Sequence, residues 1–210
     1  MNTKWAGLVV VITMLVSSGC ATMSGDECMT SDWQAIGYED GARGLTGDRL
    51  GQHRKACAKH GVTPDFEAYQ AGRTSGLREF CQPQRGFNLG ASGNRYNGVC
   101  AYDLEADFLD AYRSGSQLHS LRSNVNSASS RINSKERELE SVAVAVRNAE
   151  AELIAADTSI QDRILLLADL KELSERSGQL DAEIHELIED RAVSQRELES
   201  YQAVLADTGY

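Results

Sequence analysis

From Leu118 onward the apolar residues return by alternating steps of three and four. Leu118, Leu121, Val125, Ala128, Ile132, Leu139, Val142, Val146, Ala149, Leu153 and Ala156 form one series. After Asp157, Thr158 and Ser159 a second runs through Leu166, Leu170, Leu173, Leu180, Ile184, Leu187, Leu198, Tyr201 and Leu205. Heptads kept up this long predict coiled-coil helices. Thr158 followed by Gln161 has the form of a capping box, which restarts a helix after a tight turn. Two arms of similar length about one turn predict an antiparallel α-helical hairpin, each arm reaching about 60 Å. Lys135, Ser177, Arg191 and Ser194 interrupt the seam; polar seam positions fix register at some cost in stability. One long helix pairing with a second copy is the competing arrangement.

The preceding region has a different grammar. Asp32 predicts a cap for a helix over 33–43, and Asp48 one for a helix ending near Lys59, with Gly61 as its stop. Thr63-Pro64 places proline in the first turn of a third helix that ends near Phe80. Residues 86–99, GFNLGASGNRYNGV, read as a glycine-rich loop, with Asn97-Gly98 suited to a tight hairpin. A further helix begins near Leu104 and continues into the coiled coil. The expected fold class is mainly α: a small disulfide-linked helical head domain over 27–117, then a long antiparallel helical hairpin over 118–210.

One phrase occurs three times in the head: Gly37-Tyr38-Glu39-Asp40-Gly41, Ala68-Tyr69-Gln70-Ala71-Gly72 and Ala111-Tyr112-Arg113-Ser114-Gly115. An Asp-aromatic pair precedes each: Asp32-Trp33, Asp65-Phe66 and Asp107-Phe108. Small residues four apart share a helix face and make a flat notch that another backbone can enter. The tyrosine beside the notch is expected to cover it and keep its hydroxyl in water. Gly72 and Gly76 extend such a notch. They do not form a phosphate loop, because the stretch lacks the Lys-Ser/Thr ending and the strand-to-helix context.

Charge narrows the partners. The net charge is -10, and from Gln117 onward ten basic residues face eighteen acidic ones. That surface excludes nucleic acid as a partner, which needs a basic footprint, and is repelled by anionic lipid. Attachment to a membrane must then come from the N-terminus. Residues 1–19 read as a signal peptide, with an apolar run from Trp5 to Val16 too short to span a bilayer. Ser18-Gly19-Cys20 resembles a bacterial lipobox, although Ser17 replaces the usual aliphatic residue. Lipidation of Cys20 follows from that resemblance, with residues 20–26 as a linker. Ala21 in place of Asp points to the periplasmic face of the outer membrane. An ordinary secretory signal followed by a structural cysteine is the alternative.

Removing Cys20 leaves Cys28, Cys57, Cys81 and Cys100. In an oxidising compartment four cysteines read as two disulfides with three possible connectivities. Short loops close most easily, which favours Cys28–Cys57 and Cys81–Cys100. His53, Cys57 and His60 lack a second ligand pair at zinc-like spacing, so no metal site and no cofactor is expected.

The ordered set Glu27-Cys28, Asp32-Trp33, GYEDG (37–41), RLGQHRKACAKHGVTPD (49–65), AYQAGRTSGLREFC (68–81), GNRYNGVC (93–100) and FLDAYRSG (108–115) resembles a domain-of-unknown-function family of proteobacterial cell-envelope lipoproteins. The resemblance covers residues 25–119. It implies an envelope lipoprotein with a cysteine-bearing domain and assigns no activity.

Asp40, Arg43, His53, His60, Arg73 and His119 are the polar groups available for chemistry, but no spacing joins a nucleophile to a base and an orienting group. There is no CxxC pair for redox work. His53 and His60 lie seven apart on one helix face, which predicts solvated or capping roles. Asn94, Arg95 and Tyr96 in the 86–99 loop are candidate binding residues for a glycan or peptide, against the alternative of a structural loop closed by a disulfide. The expected function is a lipid-anchored, non-catalytic scaffold that meets an envelope protein or its own copies through the coiled coil. A ligand-binding or weakly catalytic head with the coil as spacer is the other reading.

Overall fold

The computed structural model describes residues 23–209. The signal peptide and Cys20 lie outside the described residues. Among the described residues the structure has seven helices and no strand. They are α1 (Gly25–Thr30), α2 (Trp33–Ala42), α3 (Asp48–Ala58), α4 (Phe66–Phe80), α5 (Pro83–Ala91), α6 (Tyr102–Ile154) and α7 (Ile160–Thr208). The described residues divide into two compact units that meet in sequence between Gly76 and Leu77.

In the first unit the helix starts are set by short polar side chains. Ser24 and Glu27 form a reciprocal capping box on α1. Asp32 accepts the amides of Gln34 and Ala35 at the start of α2. Asp65, not the Thr63-Pro64 turn, starts α4 by accepting the Ala68 amide at 3.0 Å. Asp48 likewise is not a cap: it is the first residue of α3, after Gly47, where its charge favours the helix dipole. Cys28, Trp33, Cys57 and Tyr69 make the buried core, with Ile36, Leu50 and Val62 packed around it. The Cys28–Cys57 disulfide ties α1 to α3.

In the second unit, Gly86 to Ala91 are not loop. They belong to α5, which begins with Pro83 in its first turn. The loop is shorter than the composition predicts, because Gly86 and Gly90 are buried packing positions in this helix. Gly98, at φ +67°, turns the chain after Asn97, and the Cys81–Cys100 disulfide closes this loop with α5 inside it. These are the two disulfides that short loop closure favours. Helix α6 has 53 residues, about 80 Å at 1.5 Å per residue. The change of composition at residue 117 falls inside it. Up to that point α6 packs against both α5 and the end of α7, and past it α6 continues along α7.

α6 and α7 form the antiparallel hairpin. Phe87, Ala111, Leu118, Leu198 and Leu205 cluster at its root. There the Tyr201 hydroxyl donates to the Ser114 carbonyl at 3.0 Å. Further out Lys135 pairs with Glu183 at 2.6 Å, and Arg176 pairs with Glu138. The polar seam position Lys135 thus holds register with a cross-helix ion pair. The Arg176 guanidinium keeps the Glu138 carboxyl below its usual range. The turn is capped by Ser159, whose hydroxyl accepts the Asp162 amide at 3.1 Å. The Thr158 hydroxyl instead closes the end of α6 by donating to the Glu152 carbonyl at 2.6 Å, so the cap lies one residue later than the Thr158–Gln161 pattern predicts.

Within each unit one pair of helices meets backbone to backbone, and the two pairs repeat the same geometry. In α2 and α4, a Cβ at Gly37 would lie 2.1 Å from the Tyr69 carbonyl oxygen, and one at Gly76 2.1 Å from that of Tyr38. In α5 and α6, a Cβ at Gly86 would lie 2.4 Å from the Phe108 oxygen, and one at Gly115 2.1 Å from that of Phe87. The first helix of each pair ends alike, on Gly44 (φ +68°) or Gly93 (φ +71°). In each the next amide donates back to Asp40 or Leu89 at 3.0 or 3.1 Å. The second helix reaches that turn alike, Arg73 donating to the Leu45 carbonyl at 2.9 Å and Tyr112 to that of Asn94 at 3.1 Å. Residues 38 and 87, 40 and 89, 69 and 108, 73 and 112, and 76 and 115 are therefore equivalent.

This register corrects the one read from the phrase. Tyr69 matches Phe108, not Tyr112, and its hydroxyl is buried, not wet. The letters Ala-Tyr recur, but packing acts on the small residues, and Gly76 and Gly115 are the matched pair. Helix α3 stands where the second pair has only the loop 92–101.

Glycine-to-alanine substitution should therefore have opposite signs at two helical sites. A Cβ at Gly178 meets nothing within 4 Å, so Gly178→Ala should stabilise by about 0.5–1 kcal/mol through helix propensity. Gly76→Ala should destabilise by about 2–4 kcal/mol because the backbones must part. Urea unfolding of both variants measures the contrast.

Candidate functional site

Asp40 is the one buried charged residue among the described residues, 5% exposed. It lies three residues after Gly37 on the face of α2 that α4 approaches, so the close contact that buries Gly37 buries the carboxylate too. The helix period, not a motif, is the sequence signal for this. Its Oδ2 accepts the Tyr69 hydroxyl at 2.9 Å and lies 2.9 Å from His53 Nε2. Arg49 Nε stands 3.8 Å from Oδ1. The His53 ring meets Trp33 and Tyr69 edge-on, both at 6.1 Å between centroids. Burial, followed by the bond to Asp40, raises the pKa of the Tyr69 phenol far above its ordinary value.

His53 is therefore not a solvated helix residue, and the spacing to His60 has no part in its role. His60 is exposed, and its imidazole lies beside Gly25, where a Cβ would be 3.0 Å from Nδ1. His119 rests against Gly93 in the same way, and Arg43 is exposed at the C-cap of α2. Neither His60 nor Arg43 is among the groups bonded to Asp40. Among the described residues no three His, Cys, Asp or Glu side chains come together as a metal ion would need.

The arrangement of Asp40, His53 and Tyr69 has the polar parts of an acid–base site, but its bonds run inward. The carboxylate orients an imidazole, and the third group is a phenol held protonated. What these contacts do is dock α3. That helix, DRLGQHRKACA, has few apolar residues, so it is held by Arg49 and His53 on Asp40 and by Cys57 on Cys28. The second helix pair places Leu89 and Phe108 at the positions of Asp40 and Tyr69 and has no helix in the place of α3. The polar cluster accompanies the added helix and is not a requirement of the pair.

Asn94 and Arg95 are exposed at the end of α5. Tyr96 is turned inward. Its hydroxyl accepts the Cys100 amide at 2.9 Å and donates to Glu105 at 3.0 Å. Its ring packs on Phe108 with 4.8 Å between centroids. The structure thus gives Tyr96 the work of fastening the loop to the first turn of α6.

Residues 32–117 match the family described as "Protein of unknown function (DUF2799)". No curated protein and no solved structure matches the chain. The matched segment begins at the α2 cap and ends within α6, two residues after Gly115, so it contains both helix pairs and stops before the long arm.

If Asp40 serves to hold α3, Asp40→Ala should cost about 2–4 kcal/mol, because His53 and the Tyr69 hydroxyl lose a buried partner. The double variant Asp40→Leu/Tyr69→Phe copies the second pair and should recover much of that loss. Urea denaturation of the two proteins side by side decides it, and equal losses would make the polar cluster indispensable.

Proposed function

We propose that this is a lipid-anchored cell-envelope protein that acts as a non-catalytic scaffold, meeting another envelope protein through its helical arm. The observation that carries the reading is the hairpin itself. Nearly half the chain is spent on two long helices that pair with each other beyond their root, in register through Lys135–Glu183 and Arg176–Glu138. An arm of this length buries little apolar surface per residue, and its use lies in reach. The acidic surface of the arm supports a protein partner over an anionic lipid or nucleic acid. Cys20 supplies the membrane attachment, at the periplasmic face of the outer membrane, on the strength of the lipobox resemblance. Among the described residues no helix is long and apolar enough to cross a membrane.

The alternative, recognition of a glycan or peptide by Asn94, Arg95 and Tyr96, has less to support it. The Tyr96 hydroxyl and ring are both engaged within the protein, which leaves two exposed side chains without an aromatic platform.

Two measurements test the reading. Metabolic labelling with a fatty-acid analogue should mark the natural chain and leave Cys20→Ser unlabelled. A photo-reactive side chain placed at Val144 or Val193 on the arm should give protein adducts in cells, whereas Met29 and Phe66 in the first unit should not. Adducts confined to the first unit would overturn the scaffold.

A further inference from the structure

The turn of the hairpin breaks the polar surface of the arm. Ile154, Ile160, Ile164, Leu165 and Leu167 are 81%, 75%, 63%, 63% and 57% exposed. Elsewhere in the described chain large exposed apolar residues are scattered singly, which is ordinary for a protein surface. Here five occur within fourteen residues of chain. Ile160, Ile164 and Leu167 follow the i, i+4, i+7 spacing of one helix face. That face is not the seam, which passes through Leu166, Leu170 and Leu173, all less exposed. The stripe ends after two turns, at Lys171. Folding does not explain these residues: more than half of each side chain's surface stays exposed, and polar residues there would keep the hairpin.

The surroundings of the patch are acidic. Glu152, Asp157, Asp162 and Asp169 are exposed around it. The nearest cation, Arg163, turns back to donate to the carbonyls of Ala155 and Thr158. We propose that the tip of the α6–α7 hairpin is a docking surface for another protein, one that presents an aliphatic pocket with a rim of lysine and arginine. This rests on the scaffold reading above and supplies its contact.

Charge selects this occupant. Two copies meeting tip to tip would set like charges around the apolar contact, which costs binding. A bilayer surface is matched by aromatic residues with lysine and arginine beside them. Residues 152–170 include no aromatic, Arg163 is turned onto the hairpin's own carbonyls, and Lys171 at the end of the stripe pairs with Glu175. An aliphatic centre with a complementary basic rim joins a buried anchor to electrostatic steering.

The test uses the full chain with a photo-reactive side chain at Leu165, in its own cells. The expected adduct is a different protein, cross-linked within an apolar site flanked by basic residues. Ile160→Asp/Ile164→Asp should reduce that adduct at least about tenfold, as loss of two anchor side chains does. Circular dichroism of that variant should be unchanged, since both positions are exposed. With the purified partner, binding should weaken as salt rises from about 0.05 to 0.5 M. A tip adduct made only to the chain's own copies overturns the proposal, as does self-association in sedimentation that strengthens with salt. So does equal binding to phosphatidylethanolamine–phosphatidylglycerol vesicles by the natural chain and the double variant. If Val144 and Val193 give protein adducts and Leu165 gives none, the tip inference falls and the scaffold stands. If none of the three does, both fall.

Discussion

The helical core depends on two places where backbones nearly touch. Between α2 and α4, and again between α5 and α6, glycines let one helix rest on the carbonyl oxygens of the other. A chain with 6% aromatic residues has little large side-chain surface with which to hold short helices to their partners within each unit. Close approach raises the number of van der Waals contacts per residue, and the disulfides lower the entropy of the unfolded chain. The large side chains that are present sit beside the notches. Tyr69 and Phe108, at equivalent positions, are both completely buried.

The same register shows what was added to one pair. The first carries α3, a charged helix between its two members, and with it Asp40, His53 and Arg49. A helix with so little apolar surface cannot be held by burial alone, so its docking is ionic and covalent. The cost is a carboxylate taken out of water, which three partners from α3 and α4 must offset. The second pair keeps apolar residues at the corresponding places and uses the shorter loop, closed by Cys81–Cys100 and by the Tyr96 hydroxyl. One helix pair thus supports two different connections without a change in its own packing.

The hairpin was legible because its requirement is periodic. Leu118, Ile132, Leu180, Ile184, Leu187 and Leu198 are all buried, and each lies on the threes-and-fours rhythm. The notch was legible in kind and not in register. Tyr69 and Tyr112 share their neighbours in the sequence, yet one faces a buried carboxylate and the other a loop carbonyl. Which glycine meets which carbonyl is decided by the partner helix, and that information lies some thirty residues away. Gly86 and Gly90 were open to being read as turn residues for the same reason: glycine looks alike in a loop and in a notch until its neighbour is known. His53 shows the converse. Its spacing to His60 is a local signal, and the contact that governs it, to Asp40, is not local.

Stability and exposure then separate along the second unit. At the root of the arm, Phe87, Leu118, Leu198 and Leu205 share a core, and Tyr201 bonds across to Ser114. At mid-length the seam stays buried at Ile132, Leu180, Ile184 and Leu187, and ion pairs flank it. Arg176 stabilises the charged form of Glu138, whose pKa is lower in the fold than in the unfolded chain. This contribution is therefore complete above the unfolded pKa of Glu138 and fades as pH falls through its folded value. Since both partners are largely solvated and screened by salt, they align the helices more than they stabilise them. At the tip the aliphatic residues leave the seam and face solvent. A hairpin selected only to persist would bury its aliphatic side chains evenly and place charge at its end. This one keeps a packed seam from its root through mid-length and carries its most exposed aliphatic residues near its turn, which is the arrangement expected when the last turns are kept for contact with another surface.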